Sequence, residues 1–206
     1  MTSTISSLLT KYPLISDQVN KAQVEIILRE LERVIAKGTP GDIVEFGCYI
    51  GTTSLFIRRI LDVLGESATR TFHVYDSFEG LPAKSAQDVS ITGEQFVRGE
   101  LAVSKKQFMH EFQKAQVRTP IIHKAWFSNL TSQDVPDKIA FAFLDGDFYE
   151  SIRDSMQLVL PNMQKGGTII VDDYAREALP GAARAVHEFM HRDRVRTAHN
   201  LGIIHL

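Results

Sequence analysis

The chain has 206 residues, of which 44% are hydrophobic and 23% charged, with a formal net charge of −2. That length suits one domain with a sizeable core, and charges of both signs are interspersed, leaving no basic stripe for nucleic acid and no polybasic helix for an anionic membrane. The lone cysteine, Cys48, excludes an internal disulfide framework and a cysteine-based zinc cage, and no apolar run approaches the ~18 residues of a spanning helix.

The N-terminal stretch MTSTISSLLTKYPLIS lacks the charged start and long apolar centre of a secretory signal, so a cytoplasmic location is expected. Residues 17–37 carry Val19, Ile26, Ile27, Val34 and Ile35 near helical spacing and stop at Gly38 and Pro40. A short strand over 42–47 runs into the turn Cys48-Tyr-Ile-Gly51, after which Thr52 or Thr53 can cap a helix that Gly65 ends. Residues 71–76 read as a second strand. The polar, glycine-containing stretch 77–99 has no periodicity and reads as a long loop; such length is more often functional than idle. Ser104 caps a helix through Ala115, and a third strand covers 118–124. The apolar run 139–144 ends at Asp145, a helix is expected over 149–163, and a strand over 168–171 ends at Asp172 and Asp173. Pro180 and Gly181 open a last helix to about Arg192, and a hairpin around Asn200 and Gly202 closes the chain.

Strands alternating with helices imply a parallel sheet covered on both faces, whose ligands bind beyond the C-terminal strand ends. Glu45, Asp76, Asp145, Asp172 and Asp173 all fall at or near such ends. Clustered carboxylates repel one another, so their convergence calls for a ligand. In VEFGCYIGTTS, Gly47 and Gly51 let backbone approach a ligand and the helix start offers free N–H groups. The turn lacks the G-x-G-x-x-G order that cradles a pyrophosphate, which argues against a nicotinamide dehydrogenase. Glu45 just before it would repel phosphate but pair with a cationic ligand; a plain strand–helix turn is the alternative. Asp76 can accept both hydroxyls of a ribose and Phe78 can stack on a base, the alternative being a solvated loop acid. The turns together point to an adenosine ligand without phosphates.

The segments GDIVEFGCYIGTTS, VYDSFEGLP, RGELAVSKKQF, FLDGDFYES, GGTIIVDDY and PGAARAVHEF, spread over residues 41–189, resemble in order and phrasing the macrocin O-methyltransferase family. Its members are S-adenosylmethionine- and magnesium-dependent enzymes that methylate sugar hydroxyls of antibiotics. The resemblance implies a Rossmann-like class I methyltransferase fold: a seven-stranded, mostly parallel sheet with helices on both faces and the last strand antiparallel. It assigns Glu45, Gly47 and Gly51, with Thr52, Thr53 and Ser54 following, to the methionine end of the cofactor. Asp76 takes the ribose beside Ser77 and Phe78, and Trp126 and Phe127 flank the adenine. Asp145, Asp172 and Asp173 match the metal-binding acids. Asp145 is the expected general base and Asp147 the second candidate, an N-cap being the other reading of Asp147. The loop 77–99 is the expected cover of the substrate. The expected substrate is a small molecule carrying a hydroxyl beside a second oxygen, a sugar or other natural product; a homo-oligomer is left open.

Two rivals stand beside this reading. AFAFLDGDF followed by Asp172 and Asp173 also looks like the Asp-x-Asp strand end of a haloacid-dehalogenase-type magnesium phosphatase, although there the motif usually comes early in the chain. The other rival is a non-catalytic cofactor-binding module.

Overall fold

The computed structural model describes residues 4–92 and 96–206; residues 93–95, part of the expected loop 77–99, lie outside it. Five strands, β1 (Asp42–Phe46), β2 (Phe72–Asp76), β3 (Ile121–Lys124), β4 (Ile139–Leu144) and β5 (Met163–Val171), pair in parallel, and a closing hairpin adds β6 (Val195–Ala198) and β7 (Leu201–His205). The seven-stranded order is β3-β2-β1-β4-β5-β7-β6, with β7 antiparallel to both of its neighbours. Strand order reverses between β1 and β4, where a crevice must open at the C-terminal ends.

Alternation along the central strands feeds two cores. Ile43, Phe141 and Phe143 face α1 (Thr4–Lys11), α2 (Lys21–Ala36), α3 (Thr52–Val63) and α4 (Lys105–Ala115), while Val44, Phe46, Ala142 and Leu144 face α5 (Tyr149–Val159) and α6 (Pro180–Phe189). Strands buried on both faces explain why β4 reads as an unbroken apolar run. Among the described residues no helix is long and apolar enough to cross a membrane.

Several boundaries differ from the expected ones for local reasons. α2 starts at Lys21 and not at residue 17, because Asn20 forms a reciprocal capping box with Gln23. Neither Thr52 nor Thr53 caps α3. Its N-cap is Gly51 at φ +96, without a side-chain bond, and both threonines are buried inside the first turn. Only glycine suits Gly51, since a Cβ there would lie 2.9 Å from the Phe108 ring. α5 ends at Val159 ahead of Pro161, so Met163, expected to be helical, already begins β5. α6 stops at Phe189 and not near Arg192. Inside the stretch expected to be patternless, Ser85 and Asp88 form a capping box around a single 3-10 turn.

Candidate active site

The ladder continues one residue past three strand ends: Gly47 N donates to Tyr75 O at 2.8 Å, Asp145 N to Phe46 O at 2.7 Å and Asp172 N to Leu144 O at 2.9 Å. Gly47, Asp145 and Asp172 are thereby held side by side at the mouth of the β1/β4 reversal. A Cβ on Gly47 (φ +84) would lie 1.9 Å from the Asp145 carbonyl oxygen, so the close approach of the two turns requires glycine.

The crevice above them encloses about 770 Å³ including the open solvent at its mouth. Asp76, Ser77, Trp126 and Phe127 line one side, and Asp145, Asp147, Asp172 and Asp173 the other. One carboxylate oxygen from each of Asp145, Asp147 and Asp173 lies within 4.8 Å of the others. Asp172 lines the same wall, but its Oδ1 already accepts from Gln23 Nε2 at 3.2 Å and from Asp173 N at 2.8 Å. Gln23 thus ties the start of α2 to the acidic wall.

Asp147 is not an N-cap. It sits at φ +58, and the cap position of α5 belongs to Phe148, which makes no side-chain bond. The turn is drawn tight by Phe148 N donating to Gly146 O at 2.6 Å. Gly146 fits because a Cβ would meet that of Ser151 at 2.7 Å. The left-handed backbone places the Asp147 carboxylate with the other acids.

The electrostatics follow from this crowding. Burial first, then the charges of Asp172, Asp147, Asp173 and Glu45, push Asp145 well above the usual carboxylate range. Asp147 is raised by burial and by Asp173 and Asp172. Asp172 is pushed up to about 7 by burial and Asp173. Arg176 offers partial relief, with Nη1 3.2 Å from Asp173 Oδ1. Four acids facing one guanidinium are a hard, all-oxygen donor set with uncompensated negative charge. That chemistry fits a divalent cation of the magnesium type.

Asp76 organises the other side. Its Oδ2 accepts from Cys48 N at 2.9 Å and Tyr49 N at 3.2 Å, and its Oδ1 from Phe78 N at 2.7 Å. Tyr49 and Phe78 both have left-handed backbones, at φ +47 and +56, so this carboxylate supports two strained turns. The Phe78 ring turns away from the crevice and packs edge-on against Phe108 at 5.9 Å, so the aromatic surface is left to Trp126 and Phe127.

Glu45, Gly51, Thr52, Thr53 and Ser54 stand behind the crevice wall and do not line it. Glu45 is buried and accepts from Ser54 Oγ at 2.5 Å. Burial pushes its carboxyl up to about 8; the Ser54 bond opposes this and the Asp76 charge adds to it. Because the folded value is raised, the folded chain holds a proton that the unfolded chain releases. The resulting stability is fully present below about pH 4.3 and lost as pH rises through about 8, at ~1.4 kcal/mol per pH unit. Glu45→Gln keeps an oxygen for Ser54 and should flatten this slope in thermal melts between pH 5 and 8. An unchanged slope would place the titration elsewhere.

Sequence reasoning missed several residues of the lining: Gln18, Tyr49, Leu81, Ser151 and Arg176. Gln18 and Arg176 carry no motif, whereas Tyr49, Leu81 and Ser151 lie inside GDIVEFGCYIGTTS, VYDSFEGLP and FLDGDFYES without a chemistry of their own to single them out. Conversely, Tyr174 and His187 bond each other at 3.2 Å away from the crevice, a structural pair.

A parallel sheet reversing at β1/β4 with an antiparallel β7, and an acid at the end of β2 facing an acidic cluster at the ends of β4 and β5, define a class I methyltransferase fold. The model of the macrocin-O-methyltransferase (TylF) family matches residues 13–201, and the chain belongs to that family. Among curated proteins it is 34% identical over 167 residues to the 8-demethyl-8-(2,3-dimethoxy-alpha-L-rhamnosyl)-tetracenomycin-C 4'-O-methyltransferase of Streptomyces olivaceus, covering 79% of this chain and 62% of that one. It is 31% identical over 180 residues to the demethyldecarbamoylnovobiocin O-methyltransferase of Streptomyces niveus, covering 81% and 64%. The chain therefore spans a little under two thirds of the length of these relatives. Among solved structures, the O-methyltransferase NovP superposes with a TM-score of 0.76 at 28% identity, over 91% of this chain and 80% of that one. The calicheamicin methyltransferase CalS11, at 19% identity and a TM-score of 0.67, shares the fold. Family membership sets aside the phosphatase reading.

Proposed function

We propose that the chain is an S-adenosylmethionine- and divalent-metal-dependent O-methyltransferase, acting on a hydroxyl beside a second oxygen, of a sugar or another natural product. One observation carries this reading: a single crevice joins Asp76 and the Trp126–Phe127 edge to the acid cluster of Asp145, Asp147, Asp172 and Asp173. In this reading Asp76 accepts the ribose hydroxyls, Trp126 and Phe127 flank the adenine, and Gly47 leaves room for the methionine end. Asp145 and Asp173 hold the cation, with Asp172 completing the set implied by the family motif or Asp147 the set that is closest in space. When bound, the sulfonium supplies the methyl group and the cation lowers the pKa of a chelated hydroxyl. Asp145, on the crevice floor, accepts the hydroxyl proton. Ser77, Gly80, Leu81 and Pro82 line the crevice and cover the substrate from that side.

Titration calorimetry tests the cofactor. S-Adenosylmethionine and S-adenosylhomocysteine should each bind once per chain, and NAD and ATP should give no saturable heat. Tight NAD binding without a response to S-adenosylmethionine would sink the reading, and cofactor binding without methyl transfer to any diol tested would favour the non-catalytic module. For the third metal ligand, Asp172→Asn and Asp147→Asn are compared. The variant with the larger loss of magnesium affinity identifies it.

A further inference from the structure

At the opposite end of the sheet, where β2 and β3 begin, a shallow surface pocket, about 190 Å³ including the open solvent at its mouth, is lined by Arg58, Arg70, Thr71, Phe72, Arg118, Thr119 and Ile121. Arg58 leaves α3 and is only 2% exposed, with its guanidinium carbon 5.6 Å from the centroid of the Phe72 ring. Its Nη1 donates to Ser67 Oγ at 3.1 Å, but its Nε is buried with no hydrogen-bond partner among the described residues. Arg118 also reaches this corner, donating from Nη1 to Ser67 O at 3.1 Å. Arg70 donates to Glu66 Oε2 at 2.8 Å and to Gly41 O at 2.7 Å.

Three acids lie near the three cations, but only one pairs directly with an arginine: Glu66 is engaged by Arg70, Asp62, which is exposed, accepts from Ser67 Oγ, and Asp42 accepts from Thr71 N at 2.8 Å. Burial lowers the proton affinity of Arg58, Asp62 opposes this, and the like charge of Arg118 adds to the lowering. A buried charged group with an unmade hydrogen bond is costly, and such donors normally have a partner in protein or solvent. A planar carboxylate presents two oxygens in one plane. A tetrahedral oxyanion presents oxygens in several directions and suits guanidiniums converging from one helix and two strand starts.

We propose that this pocket binds a phosphate group, free or as the terminal phosphomonoester of a small metabolite, held by Arg58, Arg70 and Arg118 beside the hydroxyls of Thr71 and Thr119. β2 separates it from the methyltransferase crevice by its own length, about 13–16 Å, so the site is independent of the catalytic reading. Asp76 ends that strand in the crevice and Phe72 begins it in the pocket.

Calorimetry with inorganic phosphate and with ribose 5-phosphate, at constant ionic strength with acetate as the control, tests the site. Saturable phosphate binding with a Kd of about 1 mM or tighter is expected, with a shift of the Arg58 Nε–Hε resonance in arginine-selective nitrogen-15 spectra. Acetate should do neither. Arg118 is exposed, so Arg118→Ala should fold normally and weaken phosphate at least about tenfold. Arg58→Lys, which keeps the charge and loses the fork, should weaken it as well. Tighter ribose 5-phosphate marks a metabolite as the source; equal or tighter inorganic phosphate marks the free ion. No saturable heat with either ligand, or an Arg118→Ala affinity equal to that of the unaltered chain, overturns the proposal.

Discussion

Asp145→Asn is expected to abolish the magnesium-dependent rise in melting temperature and to lower methyl transfer by about a thousandfold or more. Asp145 is the acid on which the charges of Asp172, Asp147, Asp173 and Glu45 all bear, after burial itself. A cation seated there relieves that repulsion and binds only the folded state. At about 100-fold over its dissociation constant it adds ~2.7 kcal/mol, a rise of roughly 5–10 °C for a chain of this size. Removing one negative charge also relieves the cluster, so the variant should be at least as stable as the unaltered chain without metal. Loss of the metal response together with unchanged or higher metal-free stability is the signature. A variant that still gains stability from magnesium and still turns over would refute the role of Asp145 as ligand and base. S-Adenosylmethionine affinity should stay near its original value, because the proposed ribose and adenine contacts lie at the ends of β2 and β3.

Asp76→Ala should have the largest effect on the cofactor. Two charge-assisted bonds to ribose hydroxyls, at about 1.5–3 kcal/mol each, correspond to a loss of roughly 10²–10⁴-fold in affinity. The structure adds a second cost. The same carboxylate accepts from the backbone N–H groups of Cys48, Tyr49 and Phe78, so the alanine variant frees both turns that frame the crevice. A fall of several degrees in melting temperature is therefore expected alongside the loss of binding. Asp76→Asn retains one acceptor oxygen but sets an NH2 against the backbone N–H on the other side, so it should recover only part of the stability and little of the affinity. Cofactor titrations and melts on both variants separate the two roles. Full affinity in Asp76→Ala would remove this residue from the site.

The strand ends were legible because a strand buried on both faces reads as an apolar run, and the first polar residue after it marks where the run leaves the core. Asp145 and Asp172 could be located this way from β4 and β5 alone. The glycines of the first turn were legible as a demand for close approach, which the contact between Gly47 and the Asp145 carbonyl bears out. Other features depended on chain elements far apart in sequence. Asp147 was visible as a second candidate base beside Asp145, but the left-handed backbone that makes it part of the acid cluster and not a helix cap, in a turn where Gly146 closely approaches Ser151, has no local signal. Phe78 looked available for stacking, yet Phe108 of α4 offers it a buried partner. The helix Thr4–Lys11 is too short to show a clear period, and it is held by burying Ile5, Leu8 and Leu9.

β7 lies between β5 and β6, with Thr168 opposite His205 and Val171 opposite Gly202. On the ribosome this order imposes a wait. When β5 emerges, its outer edge, running through Ile169 and Ile170, has no strand to pair with until residues 201–205 follow, some 30 residues later. At about 5–20 residues per second that interval lasts roughly 2–6 s. During it the nascent chain carries an open, β-branched edge able to pair with another copy. Anything that shields this edge until residues 201–205 arrive would limit such pairing during synthesis.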